Sequence, residues 1–178
     1  GNLWGLDNIG AKEVWMGTDT FTGATGSGVT IAVIDTGIDS DHSEFKGRIY
    51  KPWDFVENNS DAEDDMGHGT HVAGTIAAAN DNLGITGVAY NAKIMPLDVF
   101  HTYIDDQGKK QWSAYSYRTA AAIRYAVDNG ADVINMSLGG ATPSSQIYSA
   151  LQYAEQNNVI CVMASGNEYQ SRPGYPAR

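Results

Sequence analysis

Four short apolar runs, Val29–Ile34, Ala92–Val99, Val133–Leu138 and Val159–Ala164, constrain most tightly what this chain can fold into. Each is rich in Val, Ile, Leu or Met and is bounded by polar residues or glycine. None shows the apolar–polar alternation of a strand with one wet face, so each reads as a strand of a parallel sheet covered on both faces. Between them lie segments with helical spacing. His68–Ala79 is rich in small apolar residues. Tyr115–Asn129 sets Ala122, Ile123, Ala126 and Val127 on one face, and Asn129-Gly130 supplies a stop. Ser144–Asn158 repeats the pattern with Ile147, Leu151 and Ala154. Strands alternating with helices predict a three-layer α/β/α domain with a mainly parallel sheet.

The 178 residues fit one domain, and 42 % hydrophobic residues exclude a disordered chain. No apolar run reaches the roughly 18 residues of a membrane-spanning helix. A formal net charge of −10 would repel phosphate, so a nucleic-acid partner is not expected. The single cysteine, Cys161, excludes an internal disulfide and a cysteine zinc cluster, and reads as a buried, inert thiol. The polar stretch His101–Gln111 reads as a surface loop. Gly17–Gly28 reads as a Gly/Thr-rich approach to the first strand; its glycines precede a strand, so they are not a dinucleotide fingerprint.

Open α/β sheets bind ligands at the carboxyl ends of their strands, which directs attention to the strand exits. The first exit is Asp35-Thr36-Gly37. An aspartate held there is suited to orient a histidine by accepting its Nδ1 proton, or it is a helix-capping carboxylate. The second cluster, Gly67-His68-Gly69-Thr70-His71-Val72-Ala73-Gly74, opens a small-residue helix with a histidine, the usual general base near neutral pH. His68 and His71 could instead ligate a metal, but the His-Glu-x-x-His pattern of a zinc protease is absent. The third exit is Ala164-Ser165-Gly166-Asn167-Glu168. Its asparagine could aim an amide at a developing oxyanion, or simply make a turn.

Taken together, and with Asn135-Met136-Ser137-Leu138-Gly139-Gly140, these clusters resemble the subtilisin-like serine proteases (subtilases, peptidase family S8), in family order from near Trp4 to Arg178. The resemblance implies a serine endopeptidase acting by acyl transfer on protein or peptide substrates. Asp35 would orient His68 as general base and Asn167 would donate to the oxyanion. Ser137-Leu138-Gly139 would pair with the substrate backbone, opposite Ser113 and Ala114. Gly139, Gly140 and Gly174 would wall the pocket for the residue before the cut. Glu168, like Asp64 and Asp65, would flank the cleft and attract basic side chains.

The departure from the family pattern is large. No Gly-Thr-Ser-Met-Ala-like nucleophile motif follows the asparagine, and Ser171, in Gln170-Ser171-Arg172-Pro173, has no Gly-Thr before it. Residues 1–178 therefore read as the N-terminal portion of a single peptidase domain whose C-terminal part is missing. Alone, such a chain is expected to be inactive and poorly folded. The expected partner is the C-terminal fragment of the same protease carrying the serine, separated by cleavage at Arg178 or by truncation. Self-cleavage there would imply a preference for Arg. A non-catalytic subtilisin-like fragment acting as a binding or regulatory module is the alternative reading. A metallohydrolase using Asp35, His68 and His71 ranks behind both.

The loop Ala79-Asn80-Asp81-Asn82-Leu83-Gly84-Ile85 resembles the strong calcium loop of the family. It nominates Asp81, the carbonyls of Ala79, Leu83 and Ile85, and Glu44 as Ca2+ ligands; a plain Asn/Asp/Gly turn is the other reading. An extracellular or periplasmic location, with no membrane attachment, follows from the family and this loop.

Overall fold

The computed structural model describes residues 3–167 and 171–178. Its elements, in chain order, are α1 (Trp4–Asn8), α2 (Ala11–Met16), β1 (Gly17–Thr18), β2 (Phe21–Thr22), β3 (Thr30–Asp35), a 3-10 turn (Ser43–Phe45), β4 (Trp53–Asp54), α3 (His68–Ala77), β5 (Lys93–Asp98), β6 (Phe100–Ile104), β7 (Lys110–Ala114), α4 (Ser116–Asp128), β8 (Val133–Met136), α5 (Ser145–Gln156) and β9 (Ile160–Met163). Five strands form one parallel sheet in the order β4-β5-β3-β8-β9, so all their carboxyl ends lie along one edge. This is the α/β arrangement the apolar runs predict.

Two buried clusters sandwich the sheet. On one face Ala32, Ile34, Met95, Leu97, Ile134 and Met136 pack against Ala122, Ile123 and Ala126 of α4 and Ala150 and Ala154 of α5. On the other, Ile31, Val33 and Ile94 pack against Ala73 and Ala77 of α3. Small residues on all three helices let the helix backbones approach the sheet closely.

Coverage of the second face is incomplete, and here the reading of strands buried on both faces needs correction. β3 is buried along its whole length. In register with Ile31 and Val33 stand Val133 and Asn135 of β8, and then Ile160 and Val162 of β9. Ile160 is 63 % exposed and Val162 50 % exposed; among the described residues the α3-face cluster takes in Val133 of β8 but no residue of β9. Cys161 points to the opposite face, half-buried against the α4–α5 layer, and burial pushes its thiol pKa up.

The stretch 101–111 is also not a plain loop. Most of it lies in an antiparallel hairpin, β6–β7, with Phe100 opposite Ala114. Asp105 closes the tip by accepting from the backbone N–H groups of Gln107 and Lys109, and Gly108 adopts φ 74°. An Asx turn followed by a left-handed glycine is ordinary hairpin chemistry. Residues 17–28 likewise begin with the short β1–β2 ribbon.

Candidate active site

β3 ends on Asp35, whose side chain is fully buried. α3 begins on His68, 33 residues further along the chain, beyond the 3-10 turn and β4. The His68 ring nitrogen Nδ1 lies 2.6 Å from Asp35 Oδ1, with the carboxylate 0 % and the imidazole 55 % exposed. The same oxygen accepts from the Thr36 N–H at 2.8 Å, and Oδ2 is buried with no hydrogen-bond partner among the described residues. Burial raises the Asp35 pKa, while the His68 hydrogen bond and charge and the Thr36 N–H pull against it. The histidine supplies the compensation that a buried carboxylate requires. With Nδ1 turned to the carboxylate, Nε2 is the nitrogen left to act as base.

Local sequence explains this approach. Gly67 takes φ 89°, turning the chain into α3. Any Cβ on Gly69 would overlap the Gly37 carbonyl oxygen, so backbone passes directly over backbone beside the histidine. Gly37 itself has φ 93° and is pressed against Ala62 and Glu63.

Along the same sheet edge, Met136 and Met163 are the last paired residues of β8 and β9. Residues 137–140 and 164–167 leave the sheet together, and Asn135 Nδ2 donates to Ser137 Oγ at 3.0 Å. Ser137, Leu138, Gly139, Gly140, Asn167 and Gly174 all line one hollow of about 1020 Å³. Part of its lining is the bridge between Gly140 and Tyr175, which exchange hydrogen bonds of 2.9 Å in both directions. Gly174 donates to the Ser165 carbonyl. Across Leu138, Gly139 and Gly140 lies a second hollow of about 830 Å³, whose far wall includes Trp112, Ser113 and Ala114 of β7. Glu168 lies outside the described residues.

Asp64 departs from its expected place on the rim. Both of its oxygens accept from groups of the protein, and its pKa is lowered by Thr70, Gly67 and Met66 against the opposing effect of burial. Asp65 is exposed and lies 3.4 Å from Lys110 of the hairpin. A carboxylate the sequence did not single out is Asp98, at the end of β5. It stands in register between Asp35 and Asp54 and is nine-tenths buried. Its position after an apolar run was the available signal.

His71 does not join His68. It borders a separate hollow of about 500 Å³ with His42, Glu44 and Ile85. Glu44 Oε2 accepts from the Ala79 N–H at 2.8 Å, and its Oε1 lies 3.2 Å from where a Gly84 Cβ would stand. Its carboxylate thus enters the 79–85 loop. Asp81 Oδ1 accepts from the Leu83 N–H. Among the described residues no group of three or more His, Cys, Asp or Glu gathers as a metal cluster.

A buried carboxylate bonded to a half-exposed imidazole, beside open hollows at the carboxyl edge of a parallel sheet, has the layout of the acid–base half of a Ser-His-Asp site. The family described as Subtilase family matches residues 26–178, and the chain belongs to it. It is 39 % identical over 175 residues to thermitase of Thermoactinomyces vulgaris, covering 98 % of this chain and 58 % of thermitase. It is 38 % identical to subtilisin BL of Lederbergia lenta, covering 98 % of this chain and 59 % of that protein. The solved structure of fervidolysin from Fervidobacterium pennivorans, a keratinolytic enzyme related to subtilisin, superposes with TM-score 0.77 at 36 % identity, over 98 % of this chain and 26 % of that one. The chain thus spans under three-fifths of each of these relatives. Among the described residues no helix is long and apolar enough to cross a membrane.

Proposed function

We propose that residues 1–178 are the amino-terminal portion of a single subtilisin-like peptidase domain, and that the whole protein is a serine endopeptidase. The 2.6 Å contact between His68 Nδ1 and the buried Asp35 carboxylate carries this reading. Asp35 fixes the tautomer in which Nε2 is basic. His68 takes the proton from a serine hydroxyl as its oxygen attacks the peptide carbonyl, then returns it to the departing amine. Asn167 donates its amide N–H to the tetrahedral oxyanion. Water reverses the sequence to release the acyl group. The substrate backbone lies between residues 137–139 and the end of β7, a strand-addition mode. Gly139, Gly140 and Gly174 leave room for the side chain preceding the cut.

The serine is supplied by a segment outside this sequence, the carboxyl-terminal part of the same domain, whether continuous or as a docked fragment. The bare apolar strip of Ile160 and Val162, on the α3 face of the sheet, supports such a covering element. Ca2+ suits the loop at Glu44: that carboxylate, Asp81 and the carbonyls of Ala79, Leu83 and Ile85 form a hard-oxygen donor set. When bound, the ion would brace the loop that follows α3. An exported location, where calcium is plentiful, accords with this donor set.

A fluorophosphonate probe on the full-length protein tests the assignment. Labelling that disappears in His68→Ala is the expected result. Absence of labelling in a folded, calcium-loaded protein would favour the alternative, a subtilisin-like binding or regulatory module.

A further inference from the structure

Asp64 is bonded more densely than a helix cap requires. Its Oδ1 accepts from Thr36 Oγ1 at 2.9 Å, Met66 N at 3.0 Å and Gly67 N at 2.8 Å. Its Oδ2 accepts from Thr70 N at 2.9 Å and Thr70 Oγ1 at 2.6 Å. An N-cap side chain ordinarily satisfies one or two N–H groups of its own helix. This carboxylate holds the start of α3 and also reaches the exit of β3.

The hydroxyls it holds are themselves relays. Thr36 Oγ1 accepts from Gly69 N at 2.8 Å, and Thr70 Oγ1 accepts from Asp39 N at 2.8 Å. Thr36 N in turn donates to Asp35 Oδ1 at 2.8 Å. Gly67 and Gly69, the two chain neighbours of His68, are therefore tied to one carboxylate, directly or through Thr36. So is the residue next to Asp35. Against the opposing effect of burial, the bonds from Thr70, Gly67 and Met66 hold the Asp64 pKa below the ordinary aspartate value, which favours the ionised carboxylate that this set of donors requires.

We propose that Asp64 is a positioning residue that sets the distance and angle between Asp35 and His68. It touches no reacting atom. It works by fixing the backbone on both sides of His68 to the turn that carries Asp35. An asparagine keeps the size but presents an N–H₂ group to donors, so at least one oxygen's bonds are lost and donor faces donor. Catalytic geometry is sensitive to such shifts, and a displacement of about 1 Å costs on the order of 100-fold.

In the full-length protein, Asp64→Asn is expected to lower kcat by about 10- to 100-fold with KM changed less than twofold. The kinetic arm rests on the peptidase reading. A second readout does not: the deshielded His68 Nδ1 proton shared with Asp35, followed by NMR with labelled histidine, should shift upfield or broaden in Asp64→Asn. Thr70→Val should give a smaller loss of kcat, and Thr70→Ser, which restores the hydroxyl, should recover it. If Asp64→Asn fails to fold, the Thr70 pair decides the matter. Unchanged kcat and an unmoved Nδ1 proton in folded Asp64→Asn, or equal effects of Thr70→Val and Thr70→Ser, would overturn the proposal. Lack of hydrolysis by the wild type with the proton signal still responding to Asp64→Asn would overturn the peptidase reading and leave the positioning role standing.

Discussion

Asp98 offers the sharpest quantitative test of this sheet edge. It stands between Asp54 and Asp35 at adjacent strand exits, nine-tenths buried, and among the described residues its carboxylate accepts from Phe100 N at 2.9 Å. Asp54, by contrast, takes two N–H groups, from Val56 and Glu57. Burial first, and then the charges of Asp54, Asp65 and Asp64, push the Asp98 pKa from 3.8 to about 7. The folded state thus binds this proton more tightly than the unfolded chain, and stability falls as pH rises from 3.8 to about 7. At about 1.4 kcal/mol per unit, the full shift corresponds to at most about 4 kcal/mol above pH 7. Asp98→Asn keeps an oxygen for the Phe100 N–H and removes the charge. Its stabilisation should therefore be greater at pH 8.5 than at pH 5 by about 3 kcal/mol. Urea unfolding of the full-length protein in a His68→Ala background, which prevents self-digestion, measures both values. Equal gains at the two pH values would refute the reasoning, since a packing effect carries no pH dependence.

Two further outcomes follow from geometry. Gly69→Ala forces a Cβ into the Gly37 carbonyl, where neither backbone can yield cheaply; it should destabilise by about 1–3 kcal/mol and abolish most probe labelling, whereas Gly5→Ala, in open space on α1, should do neither. Calcium chelation should lower the melting temperature of the full-length protein, with about 2.7 kcal/mol lost if the ion had been held at 100 times its Kd. Glu44→Gln should shrink that dependence; an unchanged calcium response would remove Glu44 from the ligand set.

The sheet and the acid–base pair were legible because both are written locally. β3, β5, α3, α4 and α5 follow from apolar runs or helical spacing, with Asp35 the last residue of β3 and His68 the first of α3. What escaped was set by neighbours far along the chain. β9 reads as a buried strand, yet Ile160 and Val162 are bare because no described helix lies over them. The hairpin lacks strong alternation; its strands are held by each other and by the Asp105 turn. Asp64 and Asp65 are adjacent and identical in type, but one turns into Thr36 and Thr70 and the other into solvent. Sequence spacing cannot separate them, because the distinction is made by Thr36, 28 residues away.

That hairpin has a mechanical consequence. β6–β7 is a two-stranded sheet of its own, separate from the five-stranded sheet, and such ribbons are marginal by themselves. Its anchor is a pile of side chains: the His101 ring lies 4.5 Å from Tyr115 at 11°, Tyr115 stacks on Tyr117, and Arg118 bonds His101 Nδ1 at 3.2 Å while covering both tyrosines. One wall of the 830 Å³ hollow beside Leu138 therefore hangs on rings and a cation, and the other on the α5 layer. The two walls have unequal stiffness. Opening of the hollow should be carried by the hairpin side, at a free energy well below that of global unfolding, so hydrogen exchange there would report on the breathing of the groove while the sheet edge holding Asp35 stays closed.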